Sequence, residues 1–134
     1  GLKNTCVVHV TLIPYLPTSG EVKTKPSQHS VNTLRSYGIQ PDILVCRTER
    51  PLGKNERLKL AQFTNIDPDA VIQGETMPTL YEVPLALEAE GLPAQVLDKL
   101  GLPNEPPKLD AWRAMVDSVK NPRHHLEVAL VGKY

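Results

Sequence analysis

The sequence carries no excess of charge: fifteen acidic side chains cancel fifteen basic ones. That balance argues against a general nucleic-acid or membrane-surface binder, which needs a basic surplus, and still leaves room for a local basic site. No apolar run is long enough to span a bilayer. Neither nucleic acid nor membrane is therefore expected as a partner. No signal-peptide pattern opens the chain, so a cytoplasmic address is the expectation. Only two cysteines occur, Cys6 and Cys46, both inside apolar runs and at a spacing that fits no zinc pattern. They read as small buried hydrophobes in a reducing compartment. The phosphate-loop pattern Gly-x-x-x-x-Gly-Lys-Ser/Thr is absent, and so is Gly-x-Ser-x-Gly. The four histidines give no ligand set. His9 lies in an apolar strand, His29 beside a basic motif, and His124 and His125 are adjacent in a linker, so no metal is assigned. What the sequence does have in quantity is proline: thirteen residues, about twice the usual share, concentrated in the second half.

At 134 residues the chain can form one ordinary domain with its own core. The run Cys6-Val7-Val8-His9-Val10-Thr11-Leu12-Ile13 is β-branched and reads as a buried strand, ended by Pro14 and Pro17. Residues 27–37 turn helical, with Val31 and Leu34 on one face and Gly38 as the stop. Asp42-Ile43-Leu44-Val45-Cys46-Arg47 is the second strand. Residues 55–63 form the next helix, with Asn55 as a possible N-cap, and Ala70-Val71-Ile72 a short third strand. This strand–helix alternation is the sign of an α/β fold, a parallel sheet with crossover helices. Pro84 suits the first turn of a helix running to Glu90 and stopped by Gly91. A short apolar piece follows at 96–100, then a linker-like stretch at 102–107. Residues 109–119 form an amphipathic helix lined by Leu109, Trp112, Val116 and Val119. Residues 126–132 read as a last strand. That strand has no partner after it and the first strand opens almost at once, so the chain is expected to be a piece of a longer polypeptide.

The chemistry concentrates in Gly20-Glu21-Val22-Lys23-Thr24-Lys25-Pro26-Ser27-Gln28-His29-Ser30. On an extended segment Lys23 and Lys25 point the same way. Pro26 suits a helix entry, Thr24 or Ser27 can cap it, and Gln28 adds an amide. Free N–H groups at a helix start beside cations favour a polyanion such as a triphosphate. By themselves these residues read first as a solvated loop with an ordinary cap, since short basic motifs recur by chance. Arg47 ends the second strand, where open α/β sheets bind ligands, or else pairs with Glu49 on the surface. Lys59, at helical spacing from Glu56, reads as a solvated helix charge.

Three strings carry a resemblance. They are His9-Val10-Thr11-Leu12-Ile13-Pro14-Tyr15, the segment 20–31, and Tyr37-Gly38-Ile39-Gln40-Pro41-Asp42-Ile43-Leu44-Val45-Cys46-Arg47. With Asn55-Glu56-Arg57-Leu58-Lys59, Leu80-Tyr81-Glu82-Val83-Pro84-Leu85 and Val128-Ala129-Leu130-Val131-Gly132-Lys133-Tyr134, they closely resemble the CTP synthase family, which aminates UTP using ATP and glutamine. The likeness spans essentially the whole chain. It implies that residues 1–103 are the C-terminal part of a P-loop NTPase-like synthetase (amidoligase) domain. Residues 104–124 are then a helical interdomain linker, and residues 125–134 the first strand of a class I glutamine amidotransferase domain.

The resemblance further implies a UTP-binding segment, shared with the inhibitor CTP, on Lys23, Thr24, Lys25, Pro26, Ser27 and Gln28, with a further lysine at Lys59. Adenine contacts fall on the backbone of Glu75, Thr76 and Met77, and Arg47 lies near the ATP. In the family mechanism ATP phosphorylates the uracil O4 and ammonia from glutamine displaces that phosphate, with Mg2+ screening charge. The intact enzyme is implied to be a homotetramer with the UTP site near a subunit interface. The family's phosphate loop, magnesium carboxylates and glutaminase triad lie outside these residues, so catalytic residues are unassigned and the piece alone is expected to be inactive. One departure stands out. Where the family usually reads Asp-x-Asp-Ser/Thr-Ile-Tyr, this chain reads Thr76-Met77-Pro78-Thr79-Leu80-Tyr81, and Pro78 removes a backbone donor. A non-catalytic pyrimidine-nucleotide-binding or oligomerisation module is the alternative.

Overall fold

The computed structural model describes residues 4–133. The terminal positions 1–3 and Tyr134, which fall in the expected first and last segments, lie outside the described residues. Strand β1 (Val8–Ile13), strand β4 (Ile43–Thr48) and strand β5 (Val71–Glu75) form a parallel sheet in the order β1-β4-β5. Val8 faces Ile43 at one end of the β1–β4 ladder and Ile13 faces Thr48 at the other. Leu44 pairs with Val71 and Thr48 with Glu75 across β4 and β5. Helix α1 (Lys25–Ser36) crosses from β1 to β4, and helix α2 (Lys54–Thr64) from β4 to β5. The expected parallel α/β arrangement is therefore present.

The central strand sets the core. Ile43, Leu44, Val45 and Cys46 are all buried, as a strand covered on both faces requires. Val31 of α1, Leu60 and Ala61 of α2 and Val71 and Ile72 of β5 close around them. Each large aliphatic side chain so buried contributes about 1.5–3 kcal/mol. Burial also pushes the Cys46 thiol up to about 12, so it stays protonated and inert, as its sequence context suggests.

Strand β1 departs from the expected buried strand. His9, Thr11 and Ile13 turn inward or are half-covered, but Val8, Val10 and Leu12 are exposed. The reason is the face and not the edge, since β5 is also an edge strand and its Val71 and Ile72 are buried: alternation sends every second β1 side chain to a face that the described residues leave open. His9 is satisfied by Ser30, with Nε2 and the hydroxyl 2.9 Å apart.

Several boundaries move. Pro14 and Pro17 do not end pairing at once, because strands β2 (Tyr15–Leu16) and β3 (Glu21–Val22) make a short antiparallel hairpin. Helix α1 begins at Lys25, two residues before the expected start, because Pro26 fits its first turn. The Asn55 cap is not formed: Gly53 holds the N-cap position of α2 and Asn55 lies inside the helix. Gly38 does stop α1. Its φ of +81° lets its N–H reach the Arg35 carbonyl while the Ile39 N–H bonds Leu34.

Helix α3 (Val83–Ala89) carries Pro84 in its first turn as expected, and the apolar piece at 96–100 belongs to a longer helix α4 (Leu92–Leu100). Residues 102–109 are irregular, and helix α5 (Asp110–Lys120) follows. The strand expected at 126–132 is not formed. Leu126, Val128, Leu130 and Val131 are exposed and unpaired in the sheet, since a strand needs a neighbour to take its backbone hydrogen bonds. No helix among the described residues is long and apolar enough to cross a membrane.

Candidate functional site

One cavity opens just past the carboxyl ends of β1 and β4, where open α/β sheets place their ligands, and a second reaches from mid-strand Val10 and Val45 to the end of β5. The first, of about 670 Å3, is walled by Tyr15 and by Gly20, Glu21 and Val22 of the hairpin. Thr24, at the N-cap position of α1, continues the wall. The opposite side is Arg50, Pro51, Gly53, Asn55, Glu56 and Lys59, the loop and first turns of α2. The starts of two crossover helices thus meet at one cavity. Unsatisfied N–H groups and the positive ends of two helix dipoles make such a place suited to an anion.

Thr24 and Lys59 line this cavity, 35 positions apart in sequence. Lys23 reaches it through the lining residue Glu21, donating from Nζ to the carboxylate at 2.7 Å. The Lys23 hydrogen bond, then the Lys23 charge and, after a small opposing effect of burial, the Lys59 charge hold the Glu21 carboxyl below its ordinary value. Lys23, Glu21 and Lys59 therefore form one electrostatic cluster.

The rest of the motif is distributed differently. Lys25 and Pro26 are exposed in the first turn of α1, not on an extended segment, so the two-residue alternation expected for Lys23 and Lys25 does not apply. Ser27 is fully buried and its hydroxyl donates to the Leu12 carbonyl at 3.0 Å, tying α1 to β1. Gln28 donates from its side-chain amide to the Thr24 hydroxyl at 3.2 Å and so positions a lining residue. Neither Thr24 nor Ser27 makes a side-chain cap.

The second cavity, of about 430 Å3, brings together Arg47, Glu75, Thr76 and Met77, the whole of the other expected set. Val10, Val45, Leu80, Val83 and Leu87 give it an apolar floor. Arg47 pairs with no carboxylate among the described residues, so the surface pair with Glu49 is not formed. The Thr76 N–H is committed to the Thr48 carbonyl at 2.9 Å, and Glu75 accepts from the Gln73 amide at 3.1 Å. A bonded frame ties α2 to β5 and to the end of α3. Arg57 holds Glu90 through two contacts of 2.7 and 3.0 Å, and Gln73 accepts from the Leu52 N–H at 2.7 Å. Among the described residues no group of three or more His, Cys, Asp and Glu side chains stands together to hold a metal ion.

Sequence reasoning passed over Tyr15, Glu21, Arg50 and Glu56. A signal for two of them was present: Tyr15 and Arg50 each lie two positions beyond the end of a parallel strand, at the mouth of the crevice.

The fold is that of a parallel α/β protein with two cavities towards the carboxyl edge of its sheet. The family described as CTP synthase N-terminus matches residues 1–102, and the chain belongs to that family. It is 55% identical over its full length to the CTP synthase of Moorella thermoacetica and 55% to that of Pelotomaculum thermopropionicum. It is 53% identical to the CTP synthase of Methanocaldococcus jannaschii. In each case all of this chain is covered, but it spans about a quarter of the relative's length.

Proposed function

We propose that this chain supplies the pyrimidine-nucleotide cradle of a CTP synthase, a ligase that aminates UTP to CTP at the expense of ATP with glutamine or ammonia as nitrogen donor. The observation that carries this reading is the meeting of Thr24, Lys59 and the Glu21-bound Lys23 at one cavity between two helix starts. Each charge-assisted contact to a phosphate contributes about 1.5–3 kcal/mol. The same cavity would accept the product, because UTP and CTP share the triphosphate tail. Lys25 lies in the first turn of α1, beside the cavity wall at Thr24, and is the next cation available to that tail.

The second cavity suits the adenosine of ATP: an apolar floor for a ring, backbone groups at residues 75–77 for its edge, and the unpaired Arg47 for charge. In the reaction the uracil O4 takes the terminal phosphoryl group, forming an O–P bond as ADP leaves. Ammonia then attacks C4, the phosphate departs with the bonding electrons, and a proton is lost. The chain's own part is to hold the triphosphate ends. Its described residues provide no carboxylate cluster for Mg2+, so no step is assigned to the metal here.

In this reading residues 1–103 are the part of the synthetase domain that leads into the linker. The family match stops at residue 102 while the relatives align across all 134 residues, which supports a domain border there. Residues 104–124, with α5, are then the linker. Residues 125–134 are the opening strand of a glutamine amidotransferase domain, whose partner strands lie in the rest of the protein. A cytoplasmic homotetramer is the corresponding setting.

The test is steady-state CTP formation by the full-length protein that carries this sequence, with UTP, ATP, Mg2+ and ammonia. The wild type should form CTP, and Lys59→Ala or the double change Lys23→Ala, Lys25→Ala should raise the KM for UTP by tenfold or more. Absence of CTP from the wild type, or unchanged KM in both variants, would overturn the assignment. The 134-residue chain by itself should make none.

A further inference from the structure

The first cavity contains a cation that no lysine motif points to. Arg50 lines it, and the guanidinium carbon stands 5.2 Å from the centroid of the Tyr15 ring, which lines the same cavity. Arg50 pairs with no carboxylate among the described residues. Its backbone is fixed on both sides. The Thr48 hydroxyl donates to the Arg50 carbonyl at 2.7 Å and accepts from the Arg50 N–H at 3.2 Å, and Thr48 is itself buried. Two residues on, the Leu52 N–H is held by Gln73. The loop that carries Arg50 is therefore pinned rather than free.

We propose that Arg50 is a further nucleotide-binding residue, its guanidinium taking a phosphate of the nucleoside triphosphate while the Tyr15 ring holds its face. The inference rests on the reading of this cavity as a pyrimidine-nucleotide site. Two physical points support it. A guanidinium carbon held over an aromatic ring is attracted without any of its N–H groups being committed to a carboxylate, and those groups can grip a phosphate through two parallel hydrogen bonds. Charge balance is the second point. Glu21 and Glu56 line the cavity, and they offset Lys23 and Lys59 one for one. Arg50 adds a positive charge to that balanced set from within the lining itself, whereas Lys25 stands outside it in the first turn of α1.

The experiment is calorimetric titration of the full-length protein with UTP, UDP, UMP and uridine, without ATP. Wild type, Arg50→Ala, Arg50→Lys and Tyr15→Leu are compared, with melting temperatures as a fold control. Arg50→Ala should weaken UTP binding about tenfold, the loss should shrink as phosphates are removed, and uridine should bind unchanged. Arg50→Lys should recover part of the loss, and Tyr15→Leu should reproduce part of it. Wild-type binding of UTP with Arg50→Ala unchanged would overturn this inference alone, as would an equal loss for UTP and uridine. Failure of the wild type to bind UTP would remove the reading of the cavity and this inference with it.

Discussion

Lys23 donates from Nζ to the carboxylate of Glu21 at 2.7 Å, so one of the cations assigned to a phosphate tail already holds an anion. Both side chains are open to solvent, and an exposed pair of this kind is easily exchanged for a more highly charged partner. The Lys59 charge also acts on Glu21, so on the proposed function Glu21 would compete with a triphosphate at two cations. Glu21→Gln removes the competing charge and keeps the shape. It should tighten UTP binding a few-fold at low salt, with the gain fading as salt screens the cluster. Titration of the variant at two ionic strengths checks this; weaker binding in the variant would show that Glu21 orients Lys23 rather than opposing the nucleotide.

Ser27 separates structural from binding roles within the motif. Its hydroxyl is sealed between α1 and β1 and donates to the Leu12 carbonyl. Ser27→Ala leaves that carbonyl without its partner and should lower stability by about 1–2 kcal/mol. Because the hydroxyl does not line the cavity, UTP affinity at a temperature well below melting should stay within about twofold. Chemical denaturation and nucleotide titration on the same variant measure both. A tenfold affinity loss without a stability loss would place Ser27 on the ligand instead.

The parallel sheet and its crossover helices were legible in the sequence because β4 is covered on both faces and so reads as an unbroken apolar run. The open face of β1 was not legible. Val8, Val10 and Leu12 are as apolar as buried residues, and they are exposed because the described residues leave their face of β1 open. At the candidate site, the resemblance pointed to Lys59, which lines the first cavity, and to the four residues that line the second. Arg50 and Tyr15 escaped because their pairing is made by folding: 35 residues separate them, and no local pattern links a turn tyrosine to a loop arginine. Nor does the place of Ser27 in a conspicuous motif tell of the Leu12 carbonyl to which its hydroxyl donates.

The Arg57–Glu90 contact gives the fold a defined acid sensitivity. Partial burial pushes the Glu90 carboxyl up, but the Arg57 hydrogen bonds, the Gln73 N–H and the Arg57 charge together hold it below its ordinary value. A carboxyl whose value is lower folded than unfolded stabilises the fold fully above the unfolded value, about 4.3 for glutamate. That stabilisation is lost as pH falls through the lowered folded value. Glu90→Gln should therefore cost about 1–3 kcal/mol at pH 7, and the gap to wild type should close towards about pH 3. Denaturant midpoints of the two proteins across that range measure it. A gap that is constant with pH would mean that the pair acts by packing alone.

Helix α5 is docked by contacts of unequal strength, and the inequality can be measured. Trp112, the only tryptophan in the sequence, donates from Nε1 to the Tyr81 carbonyl at 2.8 Å, with the two rings edge to face at 6.5 Å. Lys120 pairs with Glu82, whose side chain is only 7% exposed, whereas Arg113 reaches Glu88 at 3.6 Å with both partners more open. Removing Lys120 strands a buried carboxylate; removing Arg113 breaks a solvated pair. Lys120→Ala should therefore loosen α5 by about 1–3 kcal/mol, and Arg113→Ala by under about 1 kcal/mol. Tryptophan emission reports the release directly, since its shift to the red follows the exposure of Trp112. The midpoint of that shift in denaturant should fall well ahead of wild type in Lys120→Ala and hardly move in Arg113→Ala. Equal shifts would mean that the buried position of Glu82 adds nothing to the docking.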